Sequence, residues 1–529
     1  MLVIPLALVA GVAPNSPEYL VWPPPLHIHA TGPPLPVHPS LTFSSNHTSS
    51  RLDRAIARYT SLISAVASPL AAASGVPSLR RVQIEITAPK AEDELHPRST
   101  TCYNYSLTVQ RVGNAANITS CSVFGAAYGL EALLQLANQP STRGQLARSE
   151  IILHDAPAHA SRGLMLDSGR RFIPVPLVRN LLDTMAAVKL NVLHLHASDM
   201  CRFGVESKTF STLTSSLTGI HAGHYTQEDI KGLIAYASDR GIRVVPEFDV
   251  PGHSRGLIPL EEAAGAIFCT PGVKSRSQLY DDPAGKTYAA VHSLMKEMAS
   301  LFPDEDFHIG CDETAVTGSC SLNSTFNFER RLATAVRSEF GKTAEGWEEI
   351  LYDAGAATKD TIVNAWARHT AAEVTSTGRR AVESKDSAFY FTSAAPGGPK
   401  GWSKCWYDIA TGVPANETSL LLGGEMSMWT DTYCYINQCG ASPSSPPVGR
   451  SLFPPEKDEP FGKSIGGMIW PRGFVGAAAF WNYNAAADPS SASFASAIWS
   501  LNDQLAARGS LTCPTNCSCD QLTACGKPY

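Results

Sequence analysis

The 529-residue sequence is poor in charge and has no long run of like charges. Lys and Arg number 42 and Asp and Glu number 48, which leaves a formal net charge of -6. Binding to a polyanion needs a concentrated basic surface, so this composition argues against nucleic acid as a partner. Beyond the amino terminus, no stretch reaches the roughly 18 uninterrupted apolar residues that a membrane helix requires. We therefore expect no membrane span.

The amino terminus lacks the basic residues that usually precede the apolar core of a signal peptide. Residues 1–13, MLVIPLALVAGVA, are nevertheless apolar and end in small residues, so we interpret residues 1–17 as a signal or leader segment. Thirteen cysteines and six Asn-x-Ser/Thr sequons favour an oxidising compartment, lysosomal or secreted, over the cytosol. The sequons are at Asn46, Asn104, Asn117, Asn323, Asn416 and Asn516.

The first part of the chain predicts a small domain that mixes helices and strands. A helical pattern covers residues 52–66, and the alternating segment VQIEITA follows at 82–88. A further strand and an amphipathic helix end near Gln139. We expect an N-terminal α/β domain with an antiparallel sheet at residues 18–157. Its end is placed near residue 157 because the segment HDAPAHASRG has the composition of a linker.

Beyond this linker the pattern changes to short apolar runs, each followed by a helical stretch, which is typical of repeated βα units. Eight such units predict a (β/α)8 TIM barrel at residues 158–510, followed by a Cys-rich tail at 511–529. The runs are GLMLD (163–167), NVLHLH (191–196), IRVVPEFD (242–249), FHIGCDE (307–313), AEGWEE (344–349), TIVNAW (361–366), RAVESK (380–385) and LLLGGEMSMW (420–429).

Polar and aromatic residues collect at the carboxyl ends of these runs, where barrel enzymes build their active sites. They are Asp167 with Arg170, His196 with Asp199, Asp249 with His253, Asp312 with Glu313, and Trp347, Trp366 and Trp429.

Two adjacent carboxylates end the segment HIGCDE, residues 308–313. The simplest interpretation is that both acids are solvated at the end of a strand. Neighbouring side chains in a continuing strand point to opposite faces, so both acids reach one pocket only if the strand stops before them. Ordinary glycosidases place two carboxyl groups about 5–9.5 Å apart across the scissile bond. Adjacent residues serve that geometry poorly. A single acid/base beside a carboxylate that orients a substrate group fits them better.

The segments HIGCDE, VLHLHASD (192–199), PEFDVPGH (246–253) and RGLMLDSGR together resemble glycoside hydrolase family 20. The resemblance covers nearly the whole chain: the early α/β region resembles that family's N-terminal domain, and residues from about 158 to 510 resemble its catalytic barrel. It implies a retaining exo-β-N-acetylhexosaminidase that needs no cofactor or metal. The expected substrates are glycans with terminal non-reducing GlcNAc or GalNAc.

The resemblance also implies roles for the acid pair. Glu313 is the expected general acid/base, and Asp312 is expected to bind the acetamide N–H of the sugar. The acetamide oxygen then attacks C1, which gives an oxazolinium intermediate. His253 and Asp199 are expected to form a relay behind Glu313.

Other residues match the family's sugar-binding positions. Arg170 is expected to bind the O3 and O4 hydroxyls, and Tyr390 to donate to the acetamide oxygen. Asp431 is expected to contact O4 or O6. The three indoles at the strand ends, Trp347, Trp366 and Trp429, are expected to wall the pocket.

The sequence departs from the family's common pattern at several positions. Met200 stands where many members have a second acid, which puts hydroxyl recognition there in doubt. Cys311 replaces a common glycine, Leu195 a common tryptophan and Asp431 a frequent glutamate. The family often pairs Cys269 with Cys320, while Cys102 with Cys121 and Cys434 with Cys439 are further candidate pairs.

Two rival functions and several details stay open at this level. A metal-dependent amidohydrolase would use His194 and His196, which lie two residues apart on one strand face. A catalytically silent glycan-binding homologue would keep the pocket without turnover. The preference for GlcNAc or GalNAc, the natural substrate and the oligomeric state, including a homodimer, are not decided by the sequence.

Overall fold

The computed structural model describes residues 19–72, 75–217, 222–269, 277–314, 319–391, 399–430 and 465–512. The predicted leader at residues 1–17 lies outside these ranges, and so does the predicted tail apart from residues 511 and 512. The described chain forms a seven-stranded sheet followed by a closed barrel.

The seven-stranded sheet is mixed, in the order β1-β7-β4-β5-β3-β2-β6. Its strands are β1 (His27–Thr31), β2 (Leu35–Ser45), β3 (Leu79–Ile86), β4 (Tyr105–Gln110), β5 (Ala115–Ser120), β6 (Gln145–Leu146) and β7 (Glu150–Asp155). The predicted antiparallel pairing holds for β1–β7, β4–β7, β4–β5 and β2–β6, whereas β3 pairs parallel with both β2 and β5.

Two helices cover one face of this sheet, α1 (Ser50–Val66) and α2 (Val123–Ala137). Each helix begins at a serine whose side-chain oxygen accepts hydrogen bonds from backbone N–H groups of the first turn, Ser49 for α1 and Ser122 for α2. Because only one sheet face is covered, strand residues alternate between buried and exposed, as β7 shows at every position.

The barrel contains eight parallel strands, and each of the eight predicted runs overlaps one of them. They are β8 (Ser161–Asp167), β9 (Val192–Ser198), β10 (Arg243–Phe248), β11 (Asp306–His308), β12 (Thr343–Trp347), β13 (Ile362–Ala365), β14 (Arg380–Glu383) and β15 (Leu421–Met428). The ring closes where β15 pairs with β8. The predicted TIM barrel is therefore confirmed, and the predicted boundary near residue 157 lies between β7 and β8.

Helices surround the barrel and bury the outer faces of its strands. They are α3 (Val175–Ala187), α4 (Thr212–Ser215), α5 (Gln227–Ser238), α6 (Pro259–Ala264), α7 (Lys286–Leu301), α8 (Leu322–Ser338), α9 (Glu349–Tyr352), α10 (Ala371–Ser376), α11 (Asp386–Phe389), α12 (Pro399–Cys405), α13 (Arg472–Asn482) and α14 (Ala492–Ala506). Among the described residues, no helix combines the length and apolar character that crossing a membrane demands.

A buried ion pair joins the sheet to the barrel. Lys189, in the turn before β9, places its Nζ 2.5 Å from the Oδ2 of Asp155 at the end of β7, and both side chains are fully buried. Tyr105 and Trp481 also donate hydrogen bonds to Asp155, and the ammonium lies 4.6 Å from the Trp481 ring. The pair is thus enclosed by hydrogen bonds and aromatic faces, which a buried charge requires.

Replacing Lys189 with methionine is expected to destabilise the protein by about 3 kcal/mol, because Asp155 would keep a buried charge without its cation. The urea midpoint of unfolding measures this loss. Lys231→Met is the matched control, since Lys231 lies 3.6 Å from Glu228 with both side chains mostly exposed, and such pairs contribute about 1 kcal/mol or less. Equal midpoints for the two variants would show that the buried Lys189–Asp155 pair stabilises the protein no more than an exposed ion pair does.

Candidate active site

The predicted site residues converge at the carboxyl end of the barrel. Arg170 follows β8, Asp199 follows β9, His253 follows β10, and Asp312 and Glu313 follow β11. Parallel strands of a closed barrel all end on the same face, which is why residues more than 140 positions apart meet there.

His253 lies between Asp199 and the acid pair. Its Nδ1 is 3.2 Å from the Oδ1 of Asp199, and its Nε2 is 3.3 Å from the Oε2 of Glu313 and 3.6 Å from the Oδ2 of Asp312. Burial alone would lower the pKa of His253, but the charges of Asp199 and Asp312 outweigh it and raise this pKa well above its usual value. The ring is therefore poised to carry a proton beside Glu313.

The backbone after β11 explains how adjacent carboxylates reach one pocket. The strand stops at His308, five residues earlier than the apolar run predicts, and Gly310, Cys311 and Glu313 all have positive φ. An added Cβ at Gly310 would lie 1.8 Å from the Oδ1 of Asp249, so only glycine fits this turn. The alternation of side chains along a strand is thus broken before the acid pair.

The two acids have different surroundings. Asp312 is buried, and its Oδ1 has no hydrogen-bond partner among the described residues. Glu313 has 62% of its side chain exposed and faces the open mouth of the barrel. A buried oxygen without a donor is unfavourable, so Asp312 presents an acceptor to a ligand N–H, while Glu313 is accessible to a leaving group or to water.

Arg170 ties the site to the first barrel strand. Its guanidinium lies 3.1 Å from the Oδ2 of Asp167 and 3.0 Å from the Oδ2 of Asp199, and its Cζ is 4.9 Å from the centroid of the Trp429 ring. Arg170 therefore forms an ion pair with Asp167, its neighbour among the polar residues at the strand ends. The planar fork is held between two carboxylates and an indole face.

The three predicted tryptophans and Tyr390 form one aromatic cluster together with Met165. Trp366 and Tyr390 stack with their ring planes 5° apart, and Trp429 lies 5.9 Å from both Tyr390 and Trp347. Burial, followed by the charge of Asp312, raises the pKa of Tyr390 well above its usual value. Its hydroxyl therefore stays protonated and can donate a hydrogen bond next to Asp312.

Below the site, the barrel interior holds a buried carboxylate that sequence reasoning does not single out. Glu247, in β10, contacts three imidazoles, those of His194, His196 and His308, and accepts a 2.8 Å hydrogen bond from the Nε1 of Trp347. The available signal is a glutamate in the middle of an otherwise apolar strand, VVPEF. A charge at such a position needs buried partners.

His194 and His196 both point into the barrel, as the amidohydrolase alternative requires. In His194, Nδ1 lies 3.1 Å from Glu425 and Nε2 lies 3.1 Å from Glu247. In His196, one nitrogen faces Glu247 and the other faces Asp199. Carboxylate oxygens lie within 3.1 Å of all four nitrogens, although the Nε2 of His194 makes no hydrogen bond of good geometry. Both rings therefore lie in a network of internal carboxylate contacts.

Further predicted details have mixed outcomes. The disulfides Cys102–Cys121 and Cys269–Cys320 are present. Cys311 is a buried free thiol and Leu195 belongs to the barrel core. Asp431 and the pair Cys434–Cys439 lie outside the described residues.

Two buried carboxyl groups lie behind Asp312. Glu329, in α8, has neither side-chain oxygen hydrogen-bonded to any described residue, and Glu349 accepts a 3.1 Å hydrogen bond from the Nε1 of Trp366. Burial, followed by the charges of Glu349 and Asp312, raises the pKa of Glu329 well above its usual value. Burial and Asp312 likewise raise the pKa of Glu349 to about 8.

Two protein-family models match this chain. The family model "Glycosyl hydrolase family 20, catalytic domain" matches residues 159–437, and the model "beta-acetyl hexosaminidase like" matches residues 21–136. The first match alone covers more than half of the chain and contains all the described site residues.

Individual proteins agree with the family models. The chain is 29% identical over 415 residues to the beta-hexosaminidase subunit beta of Mus musculus, covering 72% of this chain and 74% of that one. It is 30% identical over 369 residues to the subunit alpha from the same organism, covering 64% and 68%. The solved structure of a Flavobacterium johnsoniae chitobiase superposes with a TM-score of 0.72 at 25% identity, covering 93% of this chain and 73% of that one.

The raised pKa of Glu329 predicts a pH-dependent effect of Glu329→Gln. An acid whose pKa is raised by folding destabilises the fold as pH rises above its unfolded value, about 4.3. Glutamine removes this cost, so the variant should melt at a higher temperature than the wild type at pH 7, and the difference should shrink toward pH 4. Thermal melts at pH 4 to 8 measure it.

Glu339→Gln is the control, since Glu339 lies at the end of the same helix with half of its side chain exposed. It should change the melting temperature little at any pH. A gain for Glu329→Gln that stays constant with pH would contradict the assignment.

Proposed function

The chain belongs to glycosyl hydrolase family 20 and is an exo-acting β-N-acetylhexosaminidase, and we propose that it cleaves its substrates with the help of their own acetamide group. In this mechanism the protein supplies one acid/base, Glu313, and one orienting carboxylate, Asp312. The observation that carries the proposal is the contrast within this pair: one acid is exposed beside His253, and the other is buried with an unpaired acceptor.

Glu313 first gives a proton to the glycosidic oxygen and later takes one from water. Both steps need an acid whose proton affinity is tuned and which the leaving group and water can reach. Its exposure provides the access, and the 3.3 Å contact with His253 provides the tuning. Asp199 orients His253 from the other side, and these contacts support the proposed relay of the three groups.

Asp312 binds the acetamide N–H and holds the acetamide oxygen against C1. The Oδ1 that no described residue contacts is the free acceptor for this N–H. As the oxygen attacks, positive charge builds on the five-membered ring that forms, and the buried carboxylate stabilises it. Tethering of the nucleophile supplies an effective molarity of about 10⁵–10⁸ M.

The aromatic cluster and Arg170 shape the sugar subsite. Trp347, Trp366 and Trp429 exclude water from the intermediate and pack on the apolar face of the ring. The hydroxyl of Tyr390 donates to the acetamide oxygen, and Arg170 binds O3 and O4. Asp431, which we assign to O4 or O6, completes this set.

The cellular setting follows from the same reasoning. We place the enzyme in the lysosome or outside the cell, where the disulfides Cys102–Cys121 and Cys269–Cys320 are stable. A homodimer is one possible oligomeric state, and sedimentation velocity would distinguish it from a monomer.

Glu313→Gln is expected to lower kcat for an aryl N-acetyl-β-glucosaminide about 10²- to 10⁴-fold, which is the rate enhancement that a general acid usually contributes. The glutamine keeps the size of the side chain but has no proton to give. Steady-state rates measure the loss, and unchanged circular dichroism verifies the fold. Glu262→Gln, on the exposed face of α6, is the control and should keep the wild-type rate.

A Glu313→Gln variant near the wild-type rate would remove Glu313 from the mechanism. A wild-type protein that binds N-acetylhexosaminides but cleaves none of them would instead favour the silent glycan-binding alternative.

The acetamide mechanism predicts that cleavage depends on the N-acyl group. We expect kcat/KM for the aryl N-acetylglucosaminide to exceed that for the plain glucoside by at least about 10⁴-fold, because glucose lacks the tethered nucleophile. Asp312→Asn should remove most of this advantage while leaving glucoside hydrolysis unchanged. A panel of aryl GlcNAc, GalNAc and glucose substrates measures both effects, and equal cleavage of the glucoside would refute the mechanism.

A further inference from the structure

Glu247 is a fully buried carboxylate that the proposed chemistry does not use. It lies in β10, between the strands that precede Asp199 and the acid pair, and the proposed function gives it no role. Its Oε1 accepts from the Nε1 of Trp347 at 2.8 Å and lies 3.1 Å from the Nδ1 of His308. Its Oε2 faces His194 and His196. The carboxylate is therefore held rigidly on all sides.

His196 connects Glu247 to the relay. Its Nδ1 faces the Oε2 of Glu247, and its Nε2 lies 2.8 Å from the Oδ2 of Asp199. A neutral imidazole has one donor and one acceptor nitrogen. Because a carboxylate oxygen faces each nitrogen, both must donate, and His196 is a buried imidazolium.

The charge of His196 depends on the groups around it. From β10 and the loop after it come Glu247, Asp249 and His253; from β8 and the loop after it come Asp167 and Arg170; from its own strand come His194 and Asp199. Burial acts to lower the pKa of His196, but Glu247, ahead of the other groups, raises it well above its usual value. Removing the negative charge of Glu247 therefore favours the neutral ring.

Asp199 links the charge of His196 to His253, which contacts Glu313. Its carboxylate faces two cations, Arg170 at 3.0 Å and His196 at 2.8 Å, and also His253 at 3.2 Å. Each cation offsets part of the negative charge that Asp199 presents to His253. The charge of His196 thus limits how strongly Asp199 holds a proton on His253.

We propose that Glu247 is a positioning residue for the catalytic relay: it keeps His196 charged and so sets how tightly the His253–Glu313 pair holds its proton. This inference rests on the proposed function, because it assigns a distant control to the proposed acid/base. The line of contacts runs from Glu247 through His196, Asp199 and His253 to Glu313 without a gap longer than 3.3 Å.

The sign of the effect follows from the charges. In Glu247→Gln, His196 loses its main stabilising anion and becomes neutral, which leaves Arg170 as the remaining cation on Asp199. Asp199 then stabilises the proton on His253 more strongly. The pair keeps its proton to higher pH, so the alkaline limb of the kcat/KM profile should move upward.

The test compares kcat/KM against pH for the full-length wild type and two variants, with an aryl N-acetylglucosaminide as substrate. Glu247→Gln should move the alkaline limb upward by at least about 0.5 pH unit, since one unit corresponds to only about 1.4 kcal/mol of altered interaction. Glu425→Gln is the matched control. Glu425 is also buried and also contacts His194, but it makes no contact with His196. The alkaline limb of the Glu425→Gln variant should therefore stay where it is in the wild type.

A second variant guards against misfolding of the first. His196→Gln removes the imidazolium directly and keeps a neutral donor for Asp199, so it should shift the limb in the same direction. An unmoved limb, a downward shift, or an equal shift in Glu425→Gln would each overturn the inference. Failure of the proposed function is distinguishable, because it would appear as a Glu313→Gln variant that retains its rate.

Discussion

The geometry of the active site depends on the contacts made to the carboxylate of Asp199. Arg170, His196 and His253 come from three consecutive strand ends, and all three direct a nitrogen at this one side chain. A buried carboxylate is tolerated only when such donors surround it. The requirement to satisfy Asp199 therefore fixes the position of His253, and His253 in turn meets the acid pair.

The acid pair shows how backbone conformation decides chemistry. Asp312 and Glu313 are neighbours in the chain, yet one is buried and one is largely exposed. The turn built on Gly310 and Cys311 produces this difference, because positive φ angles end the strand and rotate successive side chains. One carboxylate can then stabilise a charge inside the pocket while the other exchanges protons at its mouth.

The barrel beneath the site is polar where most barrels are packed with branched apolar residues. Glu247, Glu425 and three histidines occupy its interior, where each imidazole lies against at least one carboxylate. Such networks contribute little net stability compared with apolar packing. Their retention under an active site is consistent with an electrostatic task, and the inference about Glu247 assigns one.

The sequence by itself determined the eight strands, the parallel barrel and the residues that lie at the carboxyl ends, because local apolar periodicity and strand-end polarity are read directly from the chain. It also carried the acid pair and the family resemblance. The early end of β11 at His308 was not predictable, since the run FHIGCDE continues to Glu313 and the turn depends on Asp249, 61 positions before Gly310.

The partners of Glu247, the contacts of Asp199 with Arg170 and His196, and the burial of Asp312 against the exposure of Glu313 were decided only by the tertiary structure. They are contacts between strands that are distant in sequence, and no local pattern encodes which side chains a closed ring of strands brings together.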